Sequence, residues 1–159
     1  MTAHWDQRPP PDVAPGASWR GTPSTAAQLT ALRGQLHTAL RDGPLAIGAD
    51  ADADAVETVL LAFEELASNG VRHGRPPVHV TVTAAGTGWL LEVSDAAADR
   101  PPTPAVGRDP AHGGLGLHLV ARLCTSHGWI PRNGRKHVWA HVAPASDADA
   151  DADADADAG

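Results

Sequence analysis

Cys124 is the only cysteine in 159 residues, which excludes an internal disulfide and a zinc cluster of thiolates. It lies inside an apolar helical pattern, where a buried structural thiol is the expected role rather than a nucleophile. No apolar run reaches the length of a membrane span. The opening residues, Met1 to Pro10, lack the apolar core of a secretory signal, so the chain reads as a soluble cytoplasmic protein. A basic block is missing too. The net charge is −7, and six of those charges belong to Asp147, Asp149, Asp151, Asp153, Asp155 and Asp157, leaving the body near −1. A nearly neutral body with no run of lysine and arginine argues against nucleic acid as the main partner.

What remains is enough for one domain with a modest core. Residues 1–22 are rich in Pro, Gly and Ala without hydrophobic periodicity, and a disordered or loosely packed leader is expected there. Trp19 is the one leader residue expected to dock. Residues 23–143 make the expected domain. From residue 144 to 159 the Asp-Ala alternation offers no core residue and repels itself, so a disordered acidic tail is expected.

Within the domain, Ser24 or Thr25 is a suitable N-cap for a first helix striped by Leu29, Leu32, Leu36 and Leu40 and ended by Gly43-Pro44. A second helix is predicted over 54–72, with Asp54 as its N-cap. Val56, Val59, Leu60, Phe63, Leu66, Ala67 and Gly70 recur at three- and four-residue steps and mark its buried face. Glu65, Asn69 and His73 form a second stripe at i, i+4 and i+8. An amide oxygen there can hold a hard cation, and a carboxylate one turn away can take a proton.

Two strand patterns follow. Val78, Val80 and Val82 alternate with polar residues, and Trp89 to Ser94 returns after a Gly-containing turn and ends at Asp95. A long Pro- and Gly-containing loop runs to His112, longer than ordinary connections and expected to act as a functional lid. It opens into Gly113-Gly114-Leu115-Gly116-Leu117 and an apolar helix, where exposed amides and the positive end of a dipole suit phosphate. Asn133-Gly134 then joins two strand-like runs, a strong hairpin signal.

An acid-amide helix, a strand ending in aspartate, a long loop and a glycine-rich helix start, in that order, resemble the ATP-binding domain of the histidine-kinase-like ATPase (GHKL) superfamily. The likeness is nearest to its small stand-alone bacterial branch of anti-sigma-factor serine/threonine kinases, and it spans roughly residues 24–143. The resemblance implies an α/β two-layer sandwich of the Bergerat type, with helices on one face of a mixed, mostly antiparallel sheet. It implies ATP and Mg²⁺ as cofactors. On the matching positions, Asn69 holds the metal, Glu65 is the catalytic base, and His73 with Gly74 closes the helix motif. Asp95 reads the adenine amino group, and Gly114, Leu115, Gly116 and Leu117 bring backbone amides to the phosphates. The implied substrate is a small anti-sigma-factor antagonist (STAS-type) protein, with a sigma factor as the other partner of a homodimer.

The chain departs from the family at one motif. Asp95 is followed by Ala96-Ala97-Ala98-Asp99 where the family reads Asp-x-Gly-x-Gly, so a methyl group stands where backbone meets the base. The lid offers Arg100 and Arg108 as its cations and no lysine. These changes motivate a rival expectation, an interaction module of the same fold that binds partners without phosphoryl transfer.

Overall fold

The computed structural model describes residues 5–14, 16–47, 53–86, 88–102 and 115–144. In chain order they form β1 (Ser18–Gly21), α1 (Ala26–Arg41), α2 (Ala53–His73), β2 (His79–Ala85), β3 (Gly88–Asp95), α3 (Leu115–Leu123), β4 (Ser126–Arg132) and β5 (Arg135–Val142). The sheet order is β1-β2-β3-β5-β4, and each neighbouring pair is antiparallel. Three helices pack on this five-stranded sheet, giving the expected α/β two-layer sandwich.

Local sequence accounts for the elements. The Thr25 hydroxyl caps α1 by accepting the Gln28 N–H at 3.2 Å, while the Gln28 side chain accepts the Ser24 N–H at 2.7 Å. Helix α2 begins at Ala53, so Asp54 lies in its first turn and is not the cap; its charge still faces the positive end of the helix. The predicted stripe from Val56 to Gly70 is buried along its whole length. It meets Val80, Val82, Leu91, Val93, Val138 and Ala140, the in-phase residues of three neighbouring strands. Asn133 and Gly134 both take positive φ, 55° and 76°, the backbone that a two-residue hairpin turn needs. The Cys124 sulfur packs beside the core, and burial pushes its thiol up to about 11, which leaves it inert.

The leader behaves differently from expectation. It supplies β1, which pairs with β2, whereas Trp19 docks as expected, meeting the Phe63 ring edge-on at 6.0 Å. Further upstream, Trp5 is buried against His127, with ring centroids 4.6 Å apart. Trp129 N–H donates to the Asp6 carbonyl at 3.1 Å, and Arg8 N–H donates to the Trp129 carbonyl at 3.0 Å. Gln7 and Trp129 thus form a parallel bridge that covers part of the β4 edge. Anchoring rests on isolated tryptophans and backbone pairing, neither of which leaves a periodic trace in sequence.

Residues 103–114, with Arg108, Gly113 and Gly114, and the acidic tail from 145 lie outside the described residues. Among the described residues, no helix is long and apolar enough to cross a membrane.

Candidate functional site

Helix α2, the end of β3 and the start of α3 bring most of the predicted site residues to one end of the sandwich. Glu65 is half-buried on α2. Burial, and then the neighbouring Glu64 charge, raise its carboxyl above the ordinary value, with Arg72 acting in the opposite direction. Glu64 itself is exposed and pairs with Arg33 at 3.6 Å, so adjacent carboxylates have opposite circumstances. One turn beyond Glu65, Asn69 is half-buried, and its side chain makes no hydrogen bond with another described residue. His73 is exposed, the last residue of α2.

Two glycines join the motifs, each by the lack of a side chain. Gly116, in the first turn of α3, lies against Glu65: a Cβ there would overlap the Glu65 carboxylate. That places a carboxylate at the positive end of α3. Gly74, just past α2, lies against Asp95: a Cβ would stand 2.5 Å from Asp95 Cγ and 2.7 Å from the Gly70 carbonyl oxygen. Leu115 begins α3, and the Leu117 side chain is buried in the core, so only its backbone is available to a ligand. Gly114 falls outside the described residues.

Asp95 is enclosed. It is 2 % exposed; Oδ1 accepts the Ala97 N–H at 2.7 Å, and Oδ2 pairs with the Lys136 ammonium at 3.4 Å. Ala97, the residue at the altered glycine position, is fully buried. The Ala96 N–H donates to the Arg75 carbonyl at 2.8 Å, tying the segment after β3 to the turn after α2. Arg100 is exposed in the segment after β3.

Lys136 is the residue that motif reading missed. A signal for it existed. On β5, Lys136 is in phase with Val138, Ala140 and Val142, and a lysine on the apolar face of a strand requires a buried partner. The register between β3 and β5 sets it opposite Asp95.

A nucleotide carrying Mg²⁺ fits this arrangement unevenly. At the α2–α3 end, a half-buried carboxamide with no side-chain partner among the described residues and a glycine without room for a side chain would suit a cation and phosphate oxygens. At the β3 end, a base would meet a carboxylate that already has two partners. A second cleft, about 280 Å³, opens between α1 and α2 beside Arg33, Glu64, Ser68 and Arg72, on the next stripe of α2.

An acid-amide helix, a strand-end aspartate and a glycine helix start on a two-layer sandwich define an ATP-binding domain. The sequence profile of the histidine kinase-like ATPase domain matches residues 22–142, and the chain belongs to that family. No curated protein matches it.

Proposed function

We propose that the protein is an ATP-dependent regulatory kinase that phosphorylates a serine or threonine of a partner protein, in the manner of anti-sigma-factor kinases. The observation carrying this reading is the α2–α3 end of the site, where Glu65, its proton affinity raised, abuts Gly116, and Asn69, with no side-chain partner among the described residues, lies one turn along α2. ATP with Mg²⁺ would supply the transferable phosphoryl group and neutralise its developing charge. Asn69 Oδ1 would hold the cation, and the backbone at Gly116 would face the phosphates. Glu65 would accept the proton of the incoming hydroxyl at a carboxylate oxygen, and a carboxyl shifted upward from its ordinary value is better matched to that task near neutral pH. Asp95 would receive the base amino group. The partner of this reading is a STAS-type antagonist, with a sigma factor held by a homodimer of the chain.

Calorimetric titration of ATP, with and without Mg²⁺, tests the site. Binding by the wild type that needs Mg²⁺, and at least about ten-fold weaker binding by Asn69→Ala, are expected from loss of a charge-assisted contact. Transfer of labelled phosphate to an antagonist protein tests the reaction, and Glu65→Ala is expected to lower its rate by roughly 10²–10⁴-fold. Full-rate transfer by Glu65→Ala removes Glu65 as the base.

The enclosed Asp95 favours a second reading, a partner-binding module that holds nucleotide without transferring phosphate. Mg²⁺-dependent binding with no transfer to any antagonist would select it.

A further inference from the structure

Lys136 belongs to no motif of the site, yet its ammonium lies 3.4 Å from the carboxylate assigned to the base. The Lys136 side chain is 5 % exposed and that of Asp95 is 2 % exposed. We propose that Lys136 is an affinity-determining residue, a resident cation that competes with the nucleobase for Asp95. This inference rests on the ATP-binding reading and adds a control on the same site.

Three observations support it. First, the pair is built in by register, since Asp95 and Lys136 are direct partners across β3 and β5. The ammonium is therefore always beside the carboxylate and loses little entropy in reaching it. Second, the other approaches to Asp95 are taken: Ala97 N–H occupies Oδ1, Ala97 is fully buried, and Gly74 is pressed against the carboxylate. The oxygen toward Lys136 is the one a base amino group has to share. Third, an exocyclic amino group is a neutral donor, whereas an ammonium makes a charge-assisted bond about twice as strong. Displacing the ammonium also leaves a buried cation without its counter-ion, which is costly. The energy difference between the two kinds of bond corresponds to roughly a ten-fold loss of affinity.

The test is calorimetric titration of Mg·ATP into the full chain and into Lys136→Thr, which keeps a neutral hydroxyl donor on a β-branched strand residue. Lys136→Arg, which keeps the charge, is the control. The expected result is about ten-fold tighter binding by Lys136→Thr, a correspondingly larger ATP-dependent rise in its melting temperature, and no gain in Lys136→Arg. Equal or weaker binding by a folded Lys136→Thr overturns the role of Lys136 while leaving ATP binding intact. Absence of binding in both proteins overturns the ATP reading and this inference together. If Lys136→Thr does not fold, the wild type decides. ATP added to saturation is expected to shift the NMR signal of the Lys136 side-chain methylene beside the ammonium, and an unmoved signal overturns the proposal.

Discussion

The two halves of the site, the end of β3 and the α2–α3 contact, differ in how their polar groups are satisfied. At the β3 end, Asp95 has an amide on one oxygen and an ammonium on the other, and is sealed from water. At the α2–α3 end, Glu65 keeps a half-buried carboxyl whose ionised form is disfavoured, and Asn69 has no described partner. A buried charge without a partner is expensive, so a sheet that places an aspartate on its apolar face has to supply a cation or rely on a ligand. This chain supplies the cation. Among the described residues the helix end is left unsatisfied instead, as a surface that takes phosphate and metal would be. The difference teaches that one fold can satisfy the polar groups at one end of a site internally while it leaves those at the other end open.

The largest expected effect breaks the closed end. Lys136→Met leaves a buried carboxylate uncompensated and is expected to cost about 3–5 kcal/mol by denaturant unfolding. Asp95→Leu is expected to cost a similar amount. The double variant should recover most of the loss, because well-packed apolar residues can replace a buried pair with little change or a gain. Additive losses would mean that the two groups are not coupled, and the comparison between the ends would fail.

The two glycines sharpen the comparison. Gly74→Ala pushes a methyl group against an aspartate pinned on both oxygens and against the Gly70 carbonyl, so neither neighbour can move cheaply. A loss of about 1–3 kcal/mol is expected. Gly116→Ala meets the end of the Glu65 side chain, which can swing aside, and Ala is the better helix former by up to about 1 kcal/mol. Its stability should be near that of the wild type while ATP affinity falls, because the methyl group and the displaced carboxylate occupy the approach to α3. Calorimetric titration beside thermal unfolding separates the two outcomes. Equal losses of stability in both variants would show the two ends to be equally rigid.

Much of this was legible before any coordinates, for definite reasons. The α2 stripe is long and strictly periodic, so its buried face and the adjacent Glu65–Asn69 line follow from helix geometry. The Asn133-Gly134 turn fixed the final hairpin because only a left-handed pair of residues closes it. The site was legible as separate segments and not as contacts. That Gly116 abuts Glu65 and Gly74 abuts Asp95 depends on how α2 lies against α3 and β3, which no local pattern contains. The Asp95–Lys136 pair needed the β3–β5 register, a pairing between segments about forty residues apart. The leader was misread for a related reason. Trp19 was expected to dock, but Trp5 stabilises the leader through a single large burial, and composition averages such an anchor away.

The smallest effect tests the open end by its own titration. Burial and Glu64 raise the Glu65 carboxyl in the folded state above its unfolded value. The folded protein therefore binds that proton more tightly than the unfolded chain. The resulting stability is fully present below the ordinary glutamate range and is lost as pH rises through the raised folded value. Glu65→Gln removes the titration and the cost of ionising a half-buried group. Relative to the wild type, it is expected to melt slightly higher at about pH 7–8, with the gap closing toward about pH 4. The same variant should lose phosphoryl transfer, so one substitution would raise stability and lower activity. A Glu65→Gln protein no more stable than the wild type at neutral pH would show that Glu65 is as well satisfied as Asp95, and the contrast between the two ends would vanish.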